Sequence, residues 1–250
     1  MREVHLITQG KGGVGKSLVA SFLAQYLINA NQSIPVHCFD TDPVNPTFSR
    51  YKALGVSVVN ILNNNNNIDS RNFDGLIEKL VEEKGIGVVD NGAATFVPLM
   101  SYMAENSVDA LLADSEVELY IHSVIAGGQA QKDCLDGLFK TVKGIKANVV
   151  VWLNHHFGQI EESGKVFSDF KFVKDHRDKI IKTVELHPRN PDTFGKDIQK
   201  MTSLNLTFDE VANHSDFTMM PRQRLKQVKN DIWEQLAQDE LFNRTNNQES

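Results

Sequence analysis

Gly10-Lys11-Gly12-Gly13-Val14-Gly15-Lys16-Ser17 fits the pattern G-x-x-x-x-G-K-[ST] and decides how the rest of the chain is read. An apolar run over 3–8 leads into it and an apolar-periodic segment over 16–31 follows, so the glycines sit between a strand and a helix. Gly10, Gly12, Gly13 and Gly15 let successive backbone N–H groups turn inward without Cβ obstruction, which makes a concave site for phosphate oxygens. The positive end of the following helix adds to that attraction. Lys16 brings a charge to the outer phosphates, and the Ser17 hydroxyl suits magnesium. Val14 and Leu18 belong to the same nucleotide-binding segment. A chance match arises in about 1% of chains this long, so an incidental glycine turn is the poorer explanation.

Outward from this loop, short apolar runs alternate with longer amphipathic segments. That is the pattern of an α/β domain with a mostly parallel sheet and helices on both faces, a Rossmann-like three-layer α/β/α arrangement. Strands are expected over 3–8, 35–39, 87–90, 110–113, 147–153 and 180–186, and helices over 16–31, 72–84, 117–142 (broken at Gly127-Gly128) and 221–241. Asp69 or Ser70 is a natural N-cap for the second helix. Asn63–Asn67 reads as a solvated loop, because Asn suits turns. With no Pro/Ser-rich linker and no composition shift, 1–242 reads as one domain and 243–250 as a polar, flexible tail.

The 250 residues carry a net charge of -6, which excludes global complementarity to nucleic acid or an anionic membrane. The only cysteines, Cys38 and Cys134, lie far apart without CxxC spacing, which argues against a disulfide framework or a zinc site. His155-His156 lacks partners at ligand spacing, so magnesium arriving with a nucleotide is the only metal expected. The N-terminus has no leader-like apolar stretch and no apolar run is long enough to span a bilayer, so a cytoplasmic location is expected.

A second lysine, Lys11, stands near the start of the loop. The segment Lys11-Gly-Gly-Val-Gly-Lys-Ser17 resembles the deviant Walker A box of the ParA/MinD group of dimeric P-loop ATPases. The resemblance implies ATP or ADP with Mg2+ as ligands and a homodimer formed on ATP binding, with Lys11 reaching the partner's phosphates. There it would act like an arginine finger; the bland alternative is a solvated surface lysine. Phe39-Asp-Thr-Asp-Pro-Val-Asn45 resembles the group's first switch region. This implies that Asp42 orients or deprotonates the attacking water and Asp40 supports the magnesium shell, although Asp42-Pro43 also suits a turn. Val88-Val-Asp-Asn-Gly-Ala93 resembles the strand in which an aspartate, here Asp90, holds a magnesium water. The usual D-x-P-x-G is replaced by Asn91-Gly92, which alone would suit a hairpin turn. The resemblance also assigns Asn154 at a strand end to adenine, whose two edges an amide matches, and Pro188 to a segment closing over the base.

Gln9-Gly-Lys-Gly-Gly-Val-Gly-Lys16, Asp40-Thr-Asp-Pro-Val-Asn45, Asp90-Asn-Gly-Ala-Ala-Thr-Phe-Val-Pro-Leu99, Val151-Trp-Leu-Asn154 and Arg222-Gln-Arg-Leu-Lys226 are similar to a narrower family, the TraL-type ATPases of plasmid conjugation. That resemblance implies an ATP-driven dimeric switch, a hydrolase, working with a protein partner in a transfer or partition apparatus. Two other readings are a nucleotide-binding module with little turnover and a P-loop amidoligase-type enzyme. The last helix carries Leu225, Val228, Ile232, Leu236 and Leu241 at near-helical spacing. Acidic residues in its second half oppose an anionic membrane surface, so packing onto the domain is expected. Its basic cluster at 222–229 is too small to imply DNA binding.

Overall fold

The alternating pattern folds into a seven-stranded sheet, β1 Glu3–Thr8, β2 Val36–Asp40, β3 Ser57–Val58, β4 Ile86–Asp90, β5 Glu118–Ala126, β6 Asn148–Asn154 and, after a small hairpin of β7 Glu161–Glu162 and β8 Lys165–Val166, β9 Ile180–Leu186. The computed structural model describes residues 1–238. Leu241, the acidic Asp239 and Glu240, and the segment 243–250 lie outside the described residues. The strand order is β3-β2-β4-β1-β5-β6-β9, and every pairing within this sheet is parallel. The helices are α1 Lys16–Ala30, α2 Asp74–Glu82, α3 Phe96–Glu105, α4 Val108–Asp114, α5 Gln131–Gly144, α6 Lys171–Asp175, α7 Lys196–Ser203, α8 Phe208–Asn213 and α9 Met219–Ala237.

The central strands are buried on both faces, as a parallel sheet covered by helices requires. β1 is buried at every position, with Val4 and Leu6 in one apolar core and Ile7 in the other. The first core takes α2, α3 and α4 through Leu76, Leu80, Leu99, Met103, Val108 and Leu112. The second takes α1, α5 and α9, around Leu23, Leu27, Leu138, Trp152 and Ile232. The stripe Leu225, Val228, Ile232 and Leu236 of α9 is at most 4% exposed. It therefore packs onto its own domain, as the charge pattern implies. Cys38 and Cys134 are both buried free thiols.

Two expectations are corrected. Residues 110–113 are not a strand but part of α4, where Val108 and Leu112, four apart, bury one face and the alanines favour helix. The helix expected over 117–142 does turn at Gly127-Gly128, but its first half is the strand β5 and only its second half is helical, as α5. Leu119-Tyr-Ile-His-Ser-Val-Ile125 is rich in β-branched and aromatic residues, which favour a strand. Because that strand is buried on both faces it lacks the two-residue alternation that would identify it. Asp69 is the cap at the second helix, but of a 3-10 turn, Ser70–Phe73, that runs into α2.

Strands β2 and β4 lie on one side of β1 and β5 on the other, and the chain turns into the phosphate loop where β1 ends. This is the crevice beyond the carboxyl ends of the strands at which open α/β sheets place their ligands.

Candidate functional site

The glycine loop runs from β1 into α1 with Gly13 at φ 74° and Gly15 at φ 103°, left-handed geometry that a side chain would strain. No side chain caps α1, so its first-turn N–H groups remain available to a ligand. Gln9, just before the loop, braces it. Its Oε1 accepts from Gly10 N–H at 2.9 Å, while its Nε2 donates to the carbonyls of Cys134 at 3.0 Å and Val124 at 3.2 Å.

Gly12, Gly13, Gly15, Lys16, Ser17, Leu18, Asp42, Asn45, Thr47, Asp90, Gly92 and Ala93 line one cleft of about 420 Å³. The fold thus brings Lys16, Ser17, Asp42 and Asp90 together, although they lie far apart in sequence. Lys16 is buried, and its ammonium donates to the Lys11 carbonyl at 3.1 Å. Desolvation lowers its pKa, opposed by the charges of Asp90 and Asp42.

Asp90 ends β4 and is 2% exposed. Burial pushes its pKa up to about 7, against a hydrogen bond from Ser17, with the Asp40 charge adding to the rise. Its Oδ1 is buried without a hydrogen-bond partner. An orphaned carboxylate oxygen beside a serine hydroxyl is a donor set that fits magnesium.

Asp42 combines both sequence readings. Its Oδ1 accepts from the N–H groups of Val44 at 2.9 Å and Asn45 at 3.0 Å, which closes the turn. Its Oδ2 lies against Gly92, where a Cβ would come within 2.8 Å. Asp40 is fully buried and faces its own loop, accepting from Asp42 N–H and Ser49 N–H, both at 3.0 Å. Desolvation raises its pKa and these two bonds oppose the rise.

Lys11 stands half-exposed at the edge of the loop, its Nζ 2.8 Å from Asp133 Oδ2 on α5. The hydrogen bond and charge of Asp133 raise the Lys11 pKa and lower that of Asp133. Asn154 ends β6 and is buried; its Nδ2 donates to the Val14 carbonyl at 2.9 Å and its Oδ1 accepts from His156 N–H at 3.1 Å. The amide therefore braces the phosphate loop and retains one hydrogen and one lone pair, although it does not line the cleft. Pro188 is exposed beyond β9 and does not line the cleft. His155-His156 form a 3-10 turn after β6. Among the described residues there is no group of three or more metal-ligating side chains and no helix long and apolar enough to cross a membrane.

Sequence reasoning missed Asp133 and the bracing role of Gln9. Asp133 lies 122 residues from its lysine, and nothing in its local sequence marks it.

No family profile matches the chain. The chain is similar over 95% of its length to a solved putative plasmid partition protein of Borrelia burgdorferi bound to AMPPNP, at 15% identity, 99% of that chain and a TM-score of 0.48. It is also similar to the MinC:MinD cell division protein complex of Aquifex aeolicus, at 17% identity, 95% of this chain, 96% of that one and a TM-score of 0.45. Two Escherichia coli proteins, both called protein TraL, are each 42% identical over 238 residues, which is 94% of this chain and 98% of theirs. With that identity sustained across nearly all of both chains, and with the phosphate loop, Asp42 and Asp90 meeting in one cleft, the chain belongs to the TraL family.

Proposed function

We propose that this protein binds ATP with magnesium in the cleft above β1 and β4 and hydrolyses it slowly, as a dimeric switch in plasmid transfer or maintenance. The observation that carries this reading is the meeting of the open glycine cradle, the buried Lys16 and the orphaned Asp90 oxygen in one cleft. The cradle N–H groups and Lys16 bind the phosphates. Ser17 and Asp90 would hold magnesium, which when bound supplies positive charge to the phosphate oxygens.

Asp42 orients the attacking water with its Oδ2, while Oδ1 keeps the turn closed. Asp40 shapes that turn from behind. The remaining hydrogen and lone pair of Asn154 read adenine, and Pro188 lies on the segment that would close over it. Lys11 is poised to leave Asp133, because an ion pair this exposed to water is weakly held. In a face-to-face dimer it would reach the partner's phosphates. A protein partner in the transfer apparatus would then read the nucleotide state.

Size-exclusion chromatography with light scattering in ADP, ATP and a slowly hydrolysed analogue tests the switch. A dimer in ATP and the analogue but a monomer in ADP is expected. A monomer in all three would overturn the dimeric part and leave a nucleotide-binding module.

A further inference from the structure

The segment that departs from the common switch pattern, Asn91-Gly92, carries a polar cluster between the cleft and α3. Asn91 is fully buried and its amide meets three elements. Its Nδ2 donates to Thr8 Oγ1 at the end of β1, 3.1 Å away. Its Oδ1 accepts from Thr41 Oγ1 at 3.0 Å and from Thr95 Oγ1 at 2.6 Å. Thr41 immediately precedes Asp42, and Thr95 is the N-cap of α3. Backbone bonds add to the joint, Thr41 N–H to the Asp90 carbonyl and Asn91 N–H to the Ile7 carbonyl, both 3.0 Å. Gly92 completes it, since a Cβ there would lie 2.6 Å from Asp42 Cγ.

We propose that Asn91 is a positioning residue that joins the Thr41–Asp42 turn to the first turn of α3, so that the Asp42 carboxylate and α3 shift together. The chemistry of the amide supports this. The amide uses its two ends differently, donating to Thr8 Oγ1 and accepting from the hydroxyls of Thr41 and Thr95. An aspartate would place a second carboxylate next to the buried Asp90. Buried hydrogen bonds that are all satisfied hold one geometry, so the elements that share them are displaced together. The catalytic consequence rests on the ATP reading above; the mechanical link does not.

The test compares the nucleotide-free parent with N91A, T95V and T95S by amide hydrogen exchange. T95V removes one hydroxyl with little change of shape, and so serves if N91A does not fold. Faster exchange is expected in T95V both in α3 and across residues 39–45, with T95S restoring the parental pattern. Acceleration confined to α3, leaving 39–45 as in the parent, would overturn the proposal. With magnesium and ATP, T95V should lose about tenfold in turnover while ATP affinity stays within about twofold, since a small misplacement of a catalytic group falls on kcat. Parental turnover in T95V would also overturn the proposal. Should the parent bind no ATP, the ATP reading fails and the exchange comparison alone decides the joint.

Discussion

Asp90→Asn should make the nucleotide-free protein more stable above neutral pH while weakening its hold on magnesium. The carboxyl is 2% exposed, one oxygen has no partner, and its pKa stands at about 7 against an ordinary 3.8. Between those values the folded protein keeps a proton that the unfolded chain releases, so stability falls as pH rises through this window and levels off above it. About three pH units at about 1.36 kcal/mol each set a ceiling of about 4 kcal/mol. Lys16 loses part of its counter-charge in the variant, which takes back some of the gain. A net increase of about 1–4 kcal/mol at pH 8 is expected, shrinking to less than half at pH 5, where parental Asp90 is already neutral. Urea unfolding at the two pH values, without magnesium or nucleotide, measures it. Equal stability at pH 8, or a gain that does not change with pH, would refute the account of Asp90 as an unpaired buried carboxylate awaiting a cation.

Asp42→Asn should retain ATP binding and stop phosphate release, because an amide cannot take a proton from water; turnover within about tenfold of the parent would remove Asp42 from that role. Lys11→Ala should still bind ATP, yet lose ATP-dependent association by light scattering and up to on the order of a thousandfold in hydrolysis, by analogy with charges supplied in trans. Normal association and turnover in that variant would dispose of the trans contact. Asn154→Ala should weaken inorganic triphosphate through the loosened Val14 carbonyl, and weaken ATP by about 1–3 kcal/mol more through the lost base contact. Equal losses in calorimetry would place adenine recognition elsewhere.

The parts of the site that were legible in the sequence are local ones. The phosphate loop is a contiguous pattern whose chemistry follows from glycine geometry and one lysine, and Asp90 is marked by the apolar run it ends. Asp42 was legible twice over, since a residue that closes a turn with one oxygen can still offer the other. What escaped reading is built from distant pieces. The bond from Thr41 to Asn91 spans 50 residues, and that from Lys11 to Asp133 spans 122. No spacing rule connects such residues before the sheet order is known. The fold errors have related causes: β5 is apolar because both its faces are buried, and within 110–113 the exposed Ala110, Leu111 and Ala113 are as apolar as the buried Leu112, so neither stretch shows by itself the period that separates strand from helix. Asn154 illustrates the opposite limit. Its position at a strand end was readable, but its bond to Val14 was not.

The claim on which the rest depends is that Gly10–Ser17 holds the phosphates of ATP. Isothermal titration of the parent and of Lys16→Ala with ATP and magnesium tests it most directly. Saturable binding by the parent at one site per chain, lost in Lys16→Ala while the variant unfolds as cooperatively as the parent, is the expected result. Equal ATP affinity in the two proteins, or no binding by a folded parent, would contradict it.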